Sequence, residues 1–366
     1  MNSPRHLSQI ALAAGVGLLL AQGLAQAADG PYKVLDKKQY MGNGGIDYIF
    51  ADNDGRKVYI WRGAEVLAFD EDTLAPAGTI PNARAHGATV DPQSHHGFCS
   101  SKPVVMWDTT TMQTIKTIPV DGGPDGILFE PATERVYVLS HGAPNVTVIE
   151  GKDGTVAGTI DLGGAPEQGQ SDGMGHVYID VEDRGNVAVV DAKTMQVTAH
   201  YDFGGKGDGA AGLALDIKNG ILFAMCRSPQ PTCIIMSAKD GKIITTLPLA
   251  GGSDGAVFNP ATMEAFSSQG NGTLTIIKET SPTTFEVEQN LTTIRGAKCC
   301  TLDTKNNHVL LNAIEAVTPP PATADAAATN ATPPTAAAPD KGGGRRGGRG
   351  GRGGGPGNLD IIVVGR

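Results

Sequence analysis

The chain has 366 residues, of which 40% are hydrophobic, 18% charged and 5% aromatic, with 50 glycines, 23 prolines and a formal net charge of -9. Charge is low and glycine high against ordinary globular usage, which excludes a coiled coil, a helical bundle and a wholly disordered chain. Such a balance favours many short strands joined by glycine turns.

The first segment reads as an address. Arg5 precedes the apolar run from Ile10 to Ala21, and Ala25-Gln26-Ala27 offers small residues where a signal peptidase cuts, so residues 1–27 are expected to be a signal peptide and 28–366 a single exported domain. The apolar run is too short to anchor in a bilayer, and no transmembrane anchor is expected further on. The expected location is the periplasm or the outside of the cell.

From there the chain repeats itself. One unit begins at Gly122-Gly123-Pro124-Asp125-Gly126 and continues through Val136-Tyr137-Val138, Asn145-Val146-Thr147-Val148-Ile149 and Val156-Ala157-Gly158-Thr159-Ile160. Four β-branched or aromatic runs between turn residues make one up-and-down sheet. The residues that open each unit are Asp47, His86, Asp125, Glu167, Ala211, Asp254 and Lys298, spaced 39 to 44 residues apart. That period with four strands per unit is the pattern of β-propeller blades. Seven openings predict an all-β propeller of seven four-stranded antiparallel blades. In the seventh, the first two strands come from 297–303 and 308–313, the third from 360–364, and the fourth from Tyr32 to Asp36, so that the two chain ends pair and close the ring.

Between Ala316 and Gly357 the seventh blade is interrupted by an Ala/Thr/Pro stretch followed by a Gly/Arg stretch that includes Arg345, Arg346, Arg349 and Arg352. Without aromatics it cannot bury enough apolar surface to fold, and a disordered basic loop is expected. An anionic envelope polymer and its own acidic channel rim are competing partners for it, beside the plain reading of a tolerated flexible loop. Nucleic acid, the partner of many Arg-Gly runs, is the less obvious one for an exported protein.

Gly-Gly-Pro-Asp at 122 to 125, Val-Tyr-Val at 136 to 138, Asn-Val-Thr-Val-Ile at 145 to 149, Thr-Ile-Asp-Leu-Gly-Gly at 159 to 164 and Val-Val-Gly-Arg at 363 to 366 resemble the YVTN-repeat, YncE-like seven-bladed propellers, chiefly exported bacterial proteins. The resemblance covers nearly all of residues 31 to 366 apart from the insertion. It implies the fold and export, and carries no catalytic set. A single Trp107-Asp108 does not make a WD40 repeat by sequence.

In a propeller the loops before first strands and between second and third strands open on one face. Asp47, His86, Asp125, Glu167, Asp254 and Lys298 are therefore expected around the channel mouth, with Arg62, His141, Arg184 and Arg227 in the outer loops of that face and His141 a further binding candidate. Asp47, His86, Asp125, Glu167 and Asp254 are candidate ligands for a divalent cation, although acidic residues in glycine turns also serve to accept backbone hydrogens. No cofactor motif is evident. Gly169-Gln170-Ser171-Asp172-Gly173 matches the hydrolase nucleophile pattern but falls in a strand and hairpin, where that chemistry has no support.

The odd count of five cysteines leaves at least one thiol unpaired within the chain, and Cys226 with Cys233, flanking a hairpin loop, is a candidate disulfide. The first functional expectation is a non-enzymatic binding or interaction scaffold that meets a protein or small molecule at the channel mouth. The alternative is a metal-dependent, lactonase-like hydrolase or a dehydrogenase-associated propeller using the same mouth.

Overall fold

A computed structural model describes residues 30–316 and 356–366. The expected signal peptide lies outside the described residues, as does the insertion between its flanking strands. Seven four-stranded antiparallel sheets form a ring, and there is no helix among the described residues. The first strands of blades one to seven are Ile49–Asp52, Ala88–Asp91, Pro124–Glu130, Pro166–Ser171, Asp208–Asp216, Ser253–Asn259 and Cys300–Asp303.

The reason these segments are strands lies in how each blade is buried on both faces. In blade three, Val136 and Val138 pack toward Phe98 and Met106 of blade two. The alternating Tyr137 and Leu139 pack toward Val177 and Ile179 of blade four. Successive side chains of a strand point to opposite faces, so a run that is apolar at every position suits a sheet sandwiched between neighbours. Seven apolar clusters result, one at each blade junction. Outer strands such as Thr114–Ile118 are mostly exposed and correspondingly polar.

Blade seven closes the ring. Its strands are Cys300–Asp303, His308–Ala316, Pro356–Gly365 and, outermost, Lys33–Asn43. The outermost strand is longer than the expected Tyr32 to Asp36 and pairs from Lys33 opposite Gly365 to Asn43 opposite Pro356. Ala316 and Gly357, taken from the sequence as ends of the disordered loop, are instead a paired position of the ladder. Three strands of this blade thus extend together, and each satisfies its neighbour's backbone groups.

Tyr32 fastens the seam to blade six. Its backbone N–H donates to Gln289 Oε1 and its carbonyl accepts from Gln289 Nε2, both at 2.9 Å. Its hydroxyl donates to Glu264, which also receives the Arg366 guanidinium. That guanidinium lies 5.1 Å from the centre of the Tyr32 ring.

The Cys226–Cys233 bridge is not formed, and all five cysteines are free and buried. The ladder pairs Cys226 with Thr232 and Met225 with Cys233. This offset of one residue turns the two thiols to opposite faces of blade five, Cys226 toward blade four and Cys233 toward blade six.

Candidate functional site

Each blade-opening residue sits within three residues of the start of a first strand, and the residue after it belongs to the channel. Those following residues are Tyr48, Gly87, Gly126, Gln168, Gly212, Gly255 and Cys299. The two large polar ones fill the channel. Tyr48 of blade one donates its hydroxyl hydrogen to the Glu167 carbonyl of blade four, 3.3 Å away. Gln168 Oε1 accepts from the N–H groups of Leu213 in blade five and Ala256 in blade six, at 2.9 and 3.1 Å, while its Nε2 donates to the Ala256 carbonyl at 3.1 Å.

Glycines make room for this plug. A Cβ on Gly126 would stand 2.3 Å from the Glu167 carbonyl oxygen, and one on Gly212 would stand 2.9 Å from Ser253 Oγ and 3.1 Å from the carbonyl carbon of Gly255. Below the plug, the channel widens into a cavity of about 580 Å³, lined by Phe50, Val90, Leu128, Gln170 and Val257 among others.

Above the plug the opening residues form a closed ring of charge. His86 Nδ1 lies 2.6 Å from Asp47 Oδ2 and 3.4 Å from Asp125 Oδ1. The other oxygen of Asp125 is 3.3 Å from His141 Nε2, which is 2.6 Å from Glu167 Oε2. Glu167 Oε1 is 3.3 Å from Arg227 Nη2. Arg227 also pairs with Asp254 and, through Nη1 at 2.8 Å, with Glu182. Lys298 Nζ then joins Asp254 at 2.5 Å to Asp47 at 3.0 Å, completing the circle. Acids alternate with bases at every step.

The ring is held from behind by ordinary packing. Trp61 stacks on His86 with ring centres 5.6 Å apart. Asn312 Nδ2 donates to the Asp47 carbonyl at 2.8 Å, Ser268 Oγ donates to the Lys298 carbonyl at 2.7 Å, and Arg227 Nε donates to the Ser253 carbonyl at 2.8 Å. Burial disfavours an ionised Asp47, yet the His86 hydrogen bond and the Lys298 charge hold its carboxyl below the usual range. Asp125 faces imidazoles rather than Lys or Arg. Burial, then the charge of Glu167, pushes it up to about 6.

The six residues expected at the mouth, Asp47, His86, Asp125, Glu167, Asp254 and Lys298, meet there, joined by His141 from its outer loop. Of the five candidate cation ligands, Asp254 stands apart, engaged by Arg227 and Lys298. The other four fall with His141 into two sets, Asp47 with His86 and Asp125, and Asp125 with His141 and Glu167. In each set the candidate ligand atoms lie within 4.8 Å of one another.

Arg227, expected in an outer loop, is a full member of the ring. It stands sixteen residues after Ala211, as His141 stands sixteen after Asp125, and this shared offset was the available signal. Glu182 was not anticipated. Arg62 turns away to donate to the Gly357 carbonyl at 2.6 Å, and Arg184 to donate to the Gly163 carbonyl at 2.6 Å. The Gly169–Gly173 segment is a strand end and turn, with Ser171 Oγ accepting the Gly173 N–H at 2.9 Å. Asp52-Asn53-Asp54-Gly55 is a hairpin turn closed by Gly55 N–H on Asp52 Oδ1 at 3.0 Å.

No protein-family model matches the chain, and no curated protein matches it in sequence. Solved structures match its fold. The WD40 repeats of RRP9 align with a TM-score of 0.64 at 10% identity, covering 77% of this chain and 91% of that one. Kuenenia stuttgartiensis hydrazine synthase aligns with a TM-score of 0.64 at 15% identity, covering 74% and 92%. A chain of the mitotic checkpoint complex aligns with a TM-score of 0.64 at 11% identity, covering 84% and 95%. The protein is a seven-bladed β-propeller with WD40-like architecture. At these identities the likeness concerns the fold, and function has to be argued from the site.

Proposed function

We propose that this chain is an exported propeller of the YVTN-repeat, YncE-like kind that acts as a binding scaffold, taking its ligand or partner on the charged channel mouth. The observation that carries the reading is the closed ring of eight alternating acids and bases lying over a plugged channel. The side chains of the mouth are oriented by hydrogen bonds before any ligand arrives. Such preorganisation lowers the ordering cost of binding. The propellers it resembles in fold include WD40 repeats and a chain of a multi-protein checkpoint complex, which accords with a scaffold.

A second reading, a metal-dependent and lactonase-like hydrolase or a dehydrogenase-associated propeller, draws on the two imidazole–carboxylate sets around Asp125. The 316–357 insertion, with its Gly/Arg stretch, leaves blade seven from the same pair of strands that rises toward the mouth, and an anionic envelope polymer is its proposed partner.

Thermal unfolding of the full chain against small polar metabolites, divalent cations and anionic polymers, each with and without a chelator, tests these readings. A ligand at 100 times its dissociation constant adds about 2.7 kcal/mol to the folded state. A raised midpoint that survives chelation and disappears in Arg227→Gln supports the scaffold. A response that needs metal and is accompanied by turnover supports the hydrolase. No shift with any member of the panel overturns the mouth as a binding site.

A further inference from the structure

We propose that the channel mouth is a two-ion site in which Asp125 bridges two divalent cations of the Zn²⁺ or Mn²⁺ class, one completed by Asp47 and His86 and the other by His141 and Glu167. The proposal rests on the reading of the mouth as a ligand site and names the ligand.

Asp125 divides its two oxygens between the sets. Oδ1 faces His86 Nδ1 at 3.4 Å and Oδ2 faces His141 Nε2 at 3.3 Å. Nitrogen and oxygen ligands about 2.1 Å from a tetrahedral ion stand about 3.4 Å from one another, so these two edges already have the span an ion requires. Two further edges, His86 to Asp47 and His141 to Glu167, are 2.6 Å hydrogen bonds that open by under about 1 Å when an ion replaces the shared proton, and the carboxylate–carboxylate edge of each set lies within 4.8 Å. A carboxylate that offers one oxygen to each side suits paired ions about 3.5–4 Å apart.

The charges around the ring favour the same half. Arg227 and Lys298 neutralise Asp254 and also reach Glu167 and Asp47, whereas the ion-pair partners of Asp125 are the imidazoles of His86 and His141. Two divalent ions would neutralise Asp125 and share Asp47 with Lys298 and Glu167 with Arg227. One imidazole with two carboxylates suits Zn²⁺ or Mn²⁺ better than an all-oxygen cation or a thiolate-seeking one. Three protein ligands per ion leave coordination positions open toward the mouth, where the Asp125 and Glu167 side chains keep 14% and 12% of their surface exposed.

Titration of Zn²⁺ into the chelator-treated full chain, followed calorimetrically, is expected to show two tight ions per chain. His86→Ala is expected to lose one, His141→Ala the other, and Asp125→Ala both, while Asp254→Asn retains two. X-ray absorption of the loaded protein is expected to show a metal–metal distance of about 3.5–4 Å. Asp125→Asn, of equal shape, stands in if the alanine variant does not fold, as judged by circular dichroism. One tight ion or none, or a stoichiometry unchanged by replacing Asp125, overturns the two-ion site. If that result comes with a retained response to an organic or polymeric ligand, the binding scaffold stands without its metals; if every response is missing, both readings fall.

Discussion

Tyr48 and Glu167, on opposite sides of the propeller, are joined through the phenol of one and the backbone carbonyl of the other at 3.3 Å. Burial holds the Tyr48 phenol well above its usual range, so it stays a donor at any pH the fold survives. Glu167 also contributes a carboxylate to the ring. The plug and the ring therefore share a residue, and a disturbance of one moves the other.

Substitutions at this junction are expected to differ in size. Tyr48→Phe removes one hydrogen bond and should cost about 1 kcal/mol. Gly126→Ala drives a methyl to within 2.3 Å of the Glu167 carbonyl and should cost about 1–3 kcal/mol through overpacking. Urea midpoints of the two variants make the comparison. A Gly126→Ala protein as stable as the parent would mean that Glu167 is not held where the plug requires it.

The ring seam is expected to depend on Glu264. This fully buried carboxylate receives Tyr32 and Arg366 and has Lys278 at 3.6 Å. Glu264→Ala removes the carboxylate that Tyr32 and Arg366 share and should cost about 2–3 kcal/mol. Hydrogen exchange should accelerate in the 33–43 strand well before it does in blade three. Uniform acceleration would show that the seam is no weaker than the rest of the ring.

A pH dependence is expected from Glu279. It is buried between blades five and six, accepts from Asn219 Nδ2 at 2.7 Å, and is pushed up to about 7 by burial, with the charge of Asp216 adding to the effect. A carboxyl whose folded value exceeds its unfolded value of 4.5 binds its proton more tightly when folded. Its contribution is fully present below pH 4.5 and is lost as pH rises through about 7. Glu279→Gln stays neutral, so its stability should match the parent at low pH and exceed it increasingly across that window. Parallel urea-midpoint curves for the two proteins would rule the account out.

The thiols should be inert while the protein is folded. Burial lifts Cys99 and Cys300 to about 11 and Cys226 to about 12, and raises Cys233 and Cys299 as well. A thiol reagent at pH 8 is expected to label none of the five within minutes and all five after unfolding. Rapid native labelling of any one would show that its blade opens locally.

Much of this fold is written in short runs such as Val136-Tyr137-Val138, because a strand buried on both faces has no polar alternation to obscure it. The ring was legible for the same reason that the blades were: Asp47, His86, Asp125, Glu167, Asp254 and Lys298 occupy one repeated place. Arg227 was harder to see. Arg62 and Arg184 come from similar loops, and only tertiary contacts show that one reaches Gly357, another Gly163, and Arg227 alone of the three the mouth. The thiols of blade five failed for a different reason, since a one-residue register decides which face each takes and spacing does not record it.

Strict alternation of sign around a circle requires an even number of members, and seven equivalent blades supply an odd one. A perfectly repeated propeller would be forced to set two like charges side by side. Here blade five is silent at the repeated place, with Ala211, while blades three and five each send a base from the end of the second strand, His141 and Arg227. Six and two make eight. The departures from repetition are what let the circle close without a fault, and they identify blades three to five as the arc where this propeller has been individualised.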